Sequence, residues 1–153
     1  MPLSLTSPAF PSGGRIPVKY TRDGQNVSPP LAWRDAPQQT QSYALVVEDP
    51  DAPSGMFRHW AIYNITAGET GLPESASKAE PGDVAHGVND FGNRHYDGPQ
   101  PPKGHGPHHY HFRLAALDIA RLDLPALTTA EEVWKAARPH IVAETEIVGI
   151  YER

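Results

Sequence analysis

The chain has 153 residues, a formal net charge of −5, 13 glycines, 17 prolines and no cysteine. That length supports a single domain, 1–153, rather than two, and the lack of cysteine excludes a disulfide framework, thiolate metal ligands and a cysteine nucleophile. Lysine and arginine are scattered without a basic run, so the electrostatic footprint of a nucleic-acid binder is missing.

The opening segment Met1–Phe10 has neither a basic stretch nor an apolar run, so neither signal peptide nor anchor is expected. No segment approaches the ~18 consecutive apolar residues of a membrane span, and the expected compartment is the cytoplasm. Short strands are expected around Leu3–Thr6 and Ile16–Tyr20, with a turn at Asp23-Gly24. Ser28–Trp33 contains Pro29 and Pro30 and reads as an extended edge segment, because proline cannot donate to a sheet ladder. Tyr43–Glu48 is a continuous apolar strand that stops at Asp49-Pro50, and His59–Ile65 is a second.

Residues 66–107 show little periodicity and read as a long ordered connection, a length that usually signals function or a missed element. Tyr110–Leu117 is the third strong strand. Thr129 and Glu132 match a capping box that opens an amphipathic helix through Val133, Ala136 and Ala137. Pro139 is expected to end or kink that helix, and Glu144–Tyr151 reads as a last strand. The expected fold is mainly β, a sandwich of two antiparallel sheets with a C-terminal helix and a terminal strand.

Side chains alternate across a strand, so the polar residues can be assigned to faces. Tyr43, Leu45, Val47 and Asp49 share one face, as do His108, Tyr110, Phe112, Leu114 and Ala116, while His109, His111 and Arg113 point the other way. Asp49, His59 and His108 then stand at the ends of three strands, with Tyr110 one step deeper. If those strands are neighbours, the groups converge on one pocket. Each also has an ordinary structural reading: an Asp before Pro commonly caps its own turn, and a lone strand-end His or a core Tyr is commonly just a satisfied polar group. Three ionisable groups at three strand ends weigh toward function, since buried charges without partners are expensive. Trp33, Trp60 and Phe112 are assigned to the core.

The loop 98–107 has seven Gly or Pro among its ten residues, a composition that suits a rigid pocket wall. His105, His108, His109 and His111 raise metal binding, yet His108 and His109 point oppositely, and a zinc site needs three or four convergent ligands; no metal or other cofactor is expected. Hydrolysis lacks a nucleophile, because no Gly-x-Ser-x-Gly elbow is present and Ser54 has no evident base.

The motifs resemble the phosphatidylethanolamine-binding protein family, also known as Raf kinase inhibitor-like proteins, and in particular its short prokaryotic branch. The likeness runs along the chain through Gly24–Trp33, Asp49-Pro50-Asp51-Ala52-Pro53, His59-Trp60, Gly87–Gly92, Tyr96–Pro99, Pro101–Gly104 and Gly106–Tyr110. It implies a β-sandwich whose small cavity accepts phosphate-like anions and phosphoethanolamine head groups. It also implies Asp49, His59, His108 and Tyr110 as pocket residues, with Asp51, Pro53, Pro101 and Pro102 shaping the walls. Cis peptide bonds at Pro50 or Pro53 and a homodimer are further implications. The sequence departs from the family pattern at Gln100, His109 and Pro139, where Cys, Arg and an uninterrupted helix are frequent.

Two function classes follow. The first is a non-enzymatic binding protein in which His59 and His108 donate to phosphate oxygens with help from Tyr110, while Asp49 orients a histidine or meets an ammonium. The second is a protein inhibitor of a kinase or protease, although kinase inhibition does not transfer with the fold.

Overall fold

The computed structural model describes residues 2–76 and 84–153. Eight strands and one α-helix make up its regular structure: β1 (Ser4–Thr6), β2 (Leu31–Arg34), β3 (Ser42–Asp49), β4 (Phe57–Thr66), β5 (Gly71–Leu72), β6 (Ala85–His86), β7 (His108–Leu117), α1 (Ala130–Ala137) and β8 (Ile141–Tyr151). Two antiparallel sheets result, one of three strands in the order β1-β2-β5 and one of five in the order β6-β4-β3-β7-β8. No helix among the described residues is long and apolar enough to cross a membrane.

The alternation expected of β3 is what separates the two apolar layers. Tyr43, Leu45 and Val47 face the small sheet and pack with Leu5, Leu31 and Trp33, joined by Phe112 and Leu114 from β7. Ala44 and Val46 face the other way, under the Val133, Trp134 and Ala137 stripe of α1. Both faces of β3 are therefore covered, and all eight of its residues are buried. Full burial of each large apolar side chain contributes roughly 1.5–3 kcal/mol. Glu48 lies on the helix side of this strand, where Arg113 at 2.9 Å and Arg58 at 3.1 Å neutralise it.

The helix begins as its sequence demands. Thr129 Oγ1 accepts from the Glu132 backbone N–H and Glu132 reaches back to the Thr129 N–H at 2.9 Å, a complete capping box. After Ala137 the chain tightens into a 3-10 turn, Arg138–His140, with Pro139 in its first turn. The Arg138 N–H still closes onto the Trp134 carbonyl, but Pro139 has no N–H to continue that ladder, so the α-helix ends there.

Four expectations need correction. Ile16–Tyr20 is not a strand: Pro17 (φ −59°) opens a 3-10 turn over Val18–Tyr20, and only the Ile16 N–H reaches a strand, donating to the Ile150 carbonyl at 2.8 Å. The segment containing Pro29 and Pro30 does not run along an edge, because β2 is the central strand of the small sheet; both prolines precede its first ladder residue, Leu31, so no ladder donor is missing. The 66–107 connection holds β5 and β6, each two residues long and too short to show a period. Finally, no cis peptide bond occurs among the described residues, Pro50 and Pro53 included.

Candidate functional site

The order β4-β3-β7 in the large sheet makes neighbours of the three strands whose ends carry Asp49, His59 and His108. Register brings them onto one side. Tyr110 and Phe112 continue the face that His108 begins, and Asp49 ends the face shared by Tyr43, Leu45 and Val47. His59 is the exception to simple alternation. With strict alternation it would join Ala61 and Tyr63, on the side covered by α1. Instead the pairing steps from Val47↔Trp60 to Glu48↔Arg58, leaving His59 as the extra residue of a β-bulge. A bulge re-aims the side chain it carries, and the His59 ring comes to lie 5.2 Å from that of Tyr110, edge to face.

Asp49 is 3 % exposed and both its oxygens are engaged. Oδ1 accepts the Asp51 N–H at 2.8 Å, the turn-capping role open to any Asp at this position, and Oδ2 accepts from His108 Nδ1 at 2.6 Å. The carboxylate thereby fixes the His108 tautomer, with its proton on Nδ1 and a lone pair on Nε2. That nitrogen is in turn occupied: His105 Nδ1 lies 2.6 Å from it, placed to donate its N–H to the neutral ring. Of the two roles considered for Asp49, the geometry realises the orienting one.

His59 is oriented from the other direction. Its Nδ1–H donates to the Asp97 carbonyl at 2.8 Å, leaving Nε2 as an acceptor without a protein partner among the described residues. Burial, partly offset by the Asp97 and Gly98 backbone and by the Asp49 charge, holds the imidazole below its ordinary pKa and so in its neutral form. The Asp97 side chain anchors this arrangement: its carboxylate accepts amide protons from Asn26 at 3.0 Å and from Asn89 and Asn93 at 2.9 Å each. Asn89 also holds the His59 carbonyl, at 3.1 Å. The Tyr110 phenol is pushed well above its ordinary pKa by burial, with the negative charges of Asp49 and Asp51 adding to it, and so remains a neutral hydroxyl donor.

Together these groups line a cavity of about 270 Å³. Asp49, Pro53, His59, Pro101, Pro102, His108 and Tyr110 all border it. Asp51 does not. Its carboxylate turns outward and accepts from the His109 backbone and ring Nδ1, both at 2.8 Å, tying the 49–53 loop to β7. Partial burial would raise the Asp51 pKa, but these bonds outweigh it and hold the carboxyl below its ordinary range. His111 is likewise taken by Glu146 at 2.8 Å, and no group of three metal-ligating side chains converges among the described residues.

Sequence reasoning missed Phe57, Phe91, Gln100, Ala52 and Ser54 as wall residues, and His105 and Asp97 as their supports. Phe57 and Phe91 stack edge-on at 4.8 Å and flank the His59 ring, and Arg22 lies 4.3 Å over Phe91 from outside. Only the position of Gln100 between two prolines carried a sequence signal for the wall.

The comparisons with known proteins converge. The family model described as phosphatidylethanolamine-binding protein matches residues 6–152. A UPF0098 protein of Methanothermobacter thermautotrophicus is 44 % identical over 153 residues, 99 % of each chain. A crystal structure described as Escherichia coli YbcL, a new member of the mammalian PEBP family, aligns with a TM-score of 0.95 at 32 % identity and covers 100 % of this chain and 99 % of that one. A Chlamydia trachomatis structure described as a phosphatidylethanolamine-binding protein homologue aligns with a TM-score of 0.89 at 36 % identity, covering 99 % of this chain and 98 % of that one. Sequence and fold therefore agree that this chain belongs to the phosphatidylethanolamine-binding protein family.

Proposed function

We propose that this protein is a cytoplasmic, non-enzymatic binder of a phosphoryl group, either free or carried on a small head group such as phosphoethanolamine. The observation that carries this reading is the convergence of Asp49, His59, His108 and Tyr110 on one cavity of about 270 Å³. That volume is at the lower limit of small-molecule sites, so it suits a head group. Asp49, Ser54, His59, Gln100, His108 and Tyr110 supply its polar groups, and Ala52, Pro53, Phe57, Phe91, Pro101 and Pro102 make up the rest of the wall.

The tautomers refine the mechanism. With both Nδ1–H groups donated within the protein, His59 and the neutral form of His108 meet a ligand as acceptors through Nε2, and Tyr110 and Gln100 supply donors. The favoured ligand is then the monoprotonated phosphoryl group, whose P–OH donates to an imidazole while its remaining oxygens accept. Affinity for a phosphomonoester falls as pH rises through its second ionisation near pH ~6, where its last P–OH is lost; inorganic phosphate keeps a P–OH beyond that pH. Asp49, by holding His108, supports inorganic phosphate and phosphoethanolamine equally. Catalysis finds no support in Ser54, the one hydroxyl of the 52–54 wall, which has no hydrogen bond to a base among the described residues.

Calorimetric titration of phosphate and phosphoethanolamine at pH 6 and pH 8 tests the reading. Phosphoethanolamine binding should weaken at the higher pH as its P–OH is lost, inorganic phosphate, which keeps a P–OH at both pH values, should lose less, and His108→Ala should lose at least about tenfold, the loss expected for a hydrogen bond to a charged group. Asp49→Ala should weaken both ligands to the same degree. Absence of binding to wild type and His108→Ala alike would move function to the surface.

A further inference from the structure

His108 lines the cavity, yet neither of its ring nitrogens is available to a ligand. Nδ1–H belongs to Asp49, and Nε2 is paired with His105 Nδ1, which donates its N–H to the neutral ring, both at 2.6 Å. His105 is exposed and is not among the residues bordering the cavity. It reaches His108 from outside, with ring centroids 4.9 Å apart and planes inclined by 60°. It also sits between Gly104 (φ 76°) and Gly106 (φ 92°), so the two flanking residues are those with the widest conformational freedom. The loop is held before this point: Gly104 N–H donates to the Arg153 carbonyl at 3.0 Å, and His105 N–H to the Pro102 carbonyl at 3.2 Å. The His105 ring can leave while the Pro101-Pro102 wall stays in place.

The geometry points to His105 as a displaceable cap on the pocket histidine, an internal stand-in for the ligand's own donor. This rests on the phosphoryl-binding reading and adds a selectivity device to it. When a monoprotonated phosphoryl group enters, the N–H···N bond from His105 is exchanged for an O–H···N bond from the ligand, and each proton stays on the atom that carried it. An anion with no proton to offer, such as sulfate at neutral pH, cannot make that exchange. The cap therefore sorts oxyanions by protonation rather than by charge or size.

The test follows the imidazole nitrogens of the full chain by long-range 1H–15N NMR while phosphate or sulfate is added at pH 7, with calorimetry alongside. Phosphate should move the His105 ring signals to those of an unbonded, exposed imidazole, and sulfate should leave them in place. His105→Ala should bind phosphate about two- to tenfold more tightly, since one ordinary hydrogen bond no longer has to break. His105→Asn, whose side-chain amide can donate to His108 in place of Nδ1, should return affinity toward that of wild type. The cap is overturned if phosphate binds while His105 stays bonded, if sulfate displaces it, or if His105→Ala binds phosphate equally or more weakly. Failure of wild type and His105→Ala alike to bind phosphate would overturn the phosphoryl-binding reading and the cap with it, an outcome distinct from intact binding that ignores His105.

Discussion

At the scale of single residues, the pocket depends on groups behind the ones a ligand would touch. His59 owes its tautomer to the Asp97 carbonyl, and Asp97 owes its place to three asparagine amides. Burial alone would raise the Asp97 pKa, but the amides of Asn93, Asn89 and Asn26 outweigh it and hold the carboxyl below its ordinary value. Asp97→Ala leaves those amides facing an empty site, and a loss of about 2–4 kcal/mol in urea unfolding is expected from several charge-assisted bonds removed at once. A loss below about 0.5 kcal/mol would mean that water replaces the carboxylate and that the network is not structural. Asp97 lies in the Tyr96–Pro99 motif, but neither that motif nor any periodicity announces this role, because its partners lie 71, 8 and 4 residues away in the chain.

At the scale of elements, loops and bulges position what the strands only carry. The 98–107 loop leaves Gly98 so close to the Tyr20 carbonyl that a Cβ there would collide with backbone, which explains a glycine at the foot of the pocket wall. The same segment is tied down by the Gly98 N–H, which donates to Asn26 Oδ1 at 2.7 Å. The C-terminal helix is held differently, by local chemistry at its first turn. Thr129→Ala removes the acceptor for the Glu132 N–H and should lower stability by about 1 kcal/mol, measured by urea denaturation; phosphate affinity should be unchanged, since α1 packs on the far face of the large sheet. This element was fully legible in the sequence, because a capping box is written in four consecutive residues. β5 and β6 were not, because two-residue strands exist only through the partner that pairs with them.

At the scale of the whole molecule, the five-stranded sheet separates an inter-sheet core from a helix-covered layer, and the pocket opens at the end of the first. Burying neutral His59 there links folding to pH. Its folded pKa lies below the unfolded value near ~6.5, so between the two the unfolded chain binds the extra proton, and stability rises with pH. The contribution is present in full above pH ~6.5 and is lost as pH falls toward the folded value. The urea midpoint of wild type should therefore drop between pH 7.5 and 5 more than that of His59→Asn, a comparison that cancels the exposed His109–Asp51, His111–Glu146 and His140–Asp118 pairs. Parallel curves would show that His59 is not kept neutral by burial. A further decline below pH ~4, the ordinary carboxylate range, is shared by Asp97, Asp51, Glu74 and Glu132, whose depressed pKa values have the same sign.

By itself the sequence determined the main strands, which of their faces is apolar, where the helix starts, and which ionisable side chains stand at strand ends. These follow from local rules, the period of two and the chemistry of turns and caps, which act between residues close in the chain. Tertiary structure decided that the three strands are neighbours, that a bulge turns His59 into the pocket, that Asp51 faces out, and that His105 closes on His108. Register and hydrogen-bond partnership are properties of pairs of segments, and no single segment contains them.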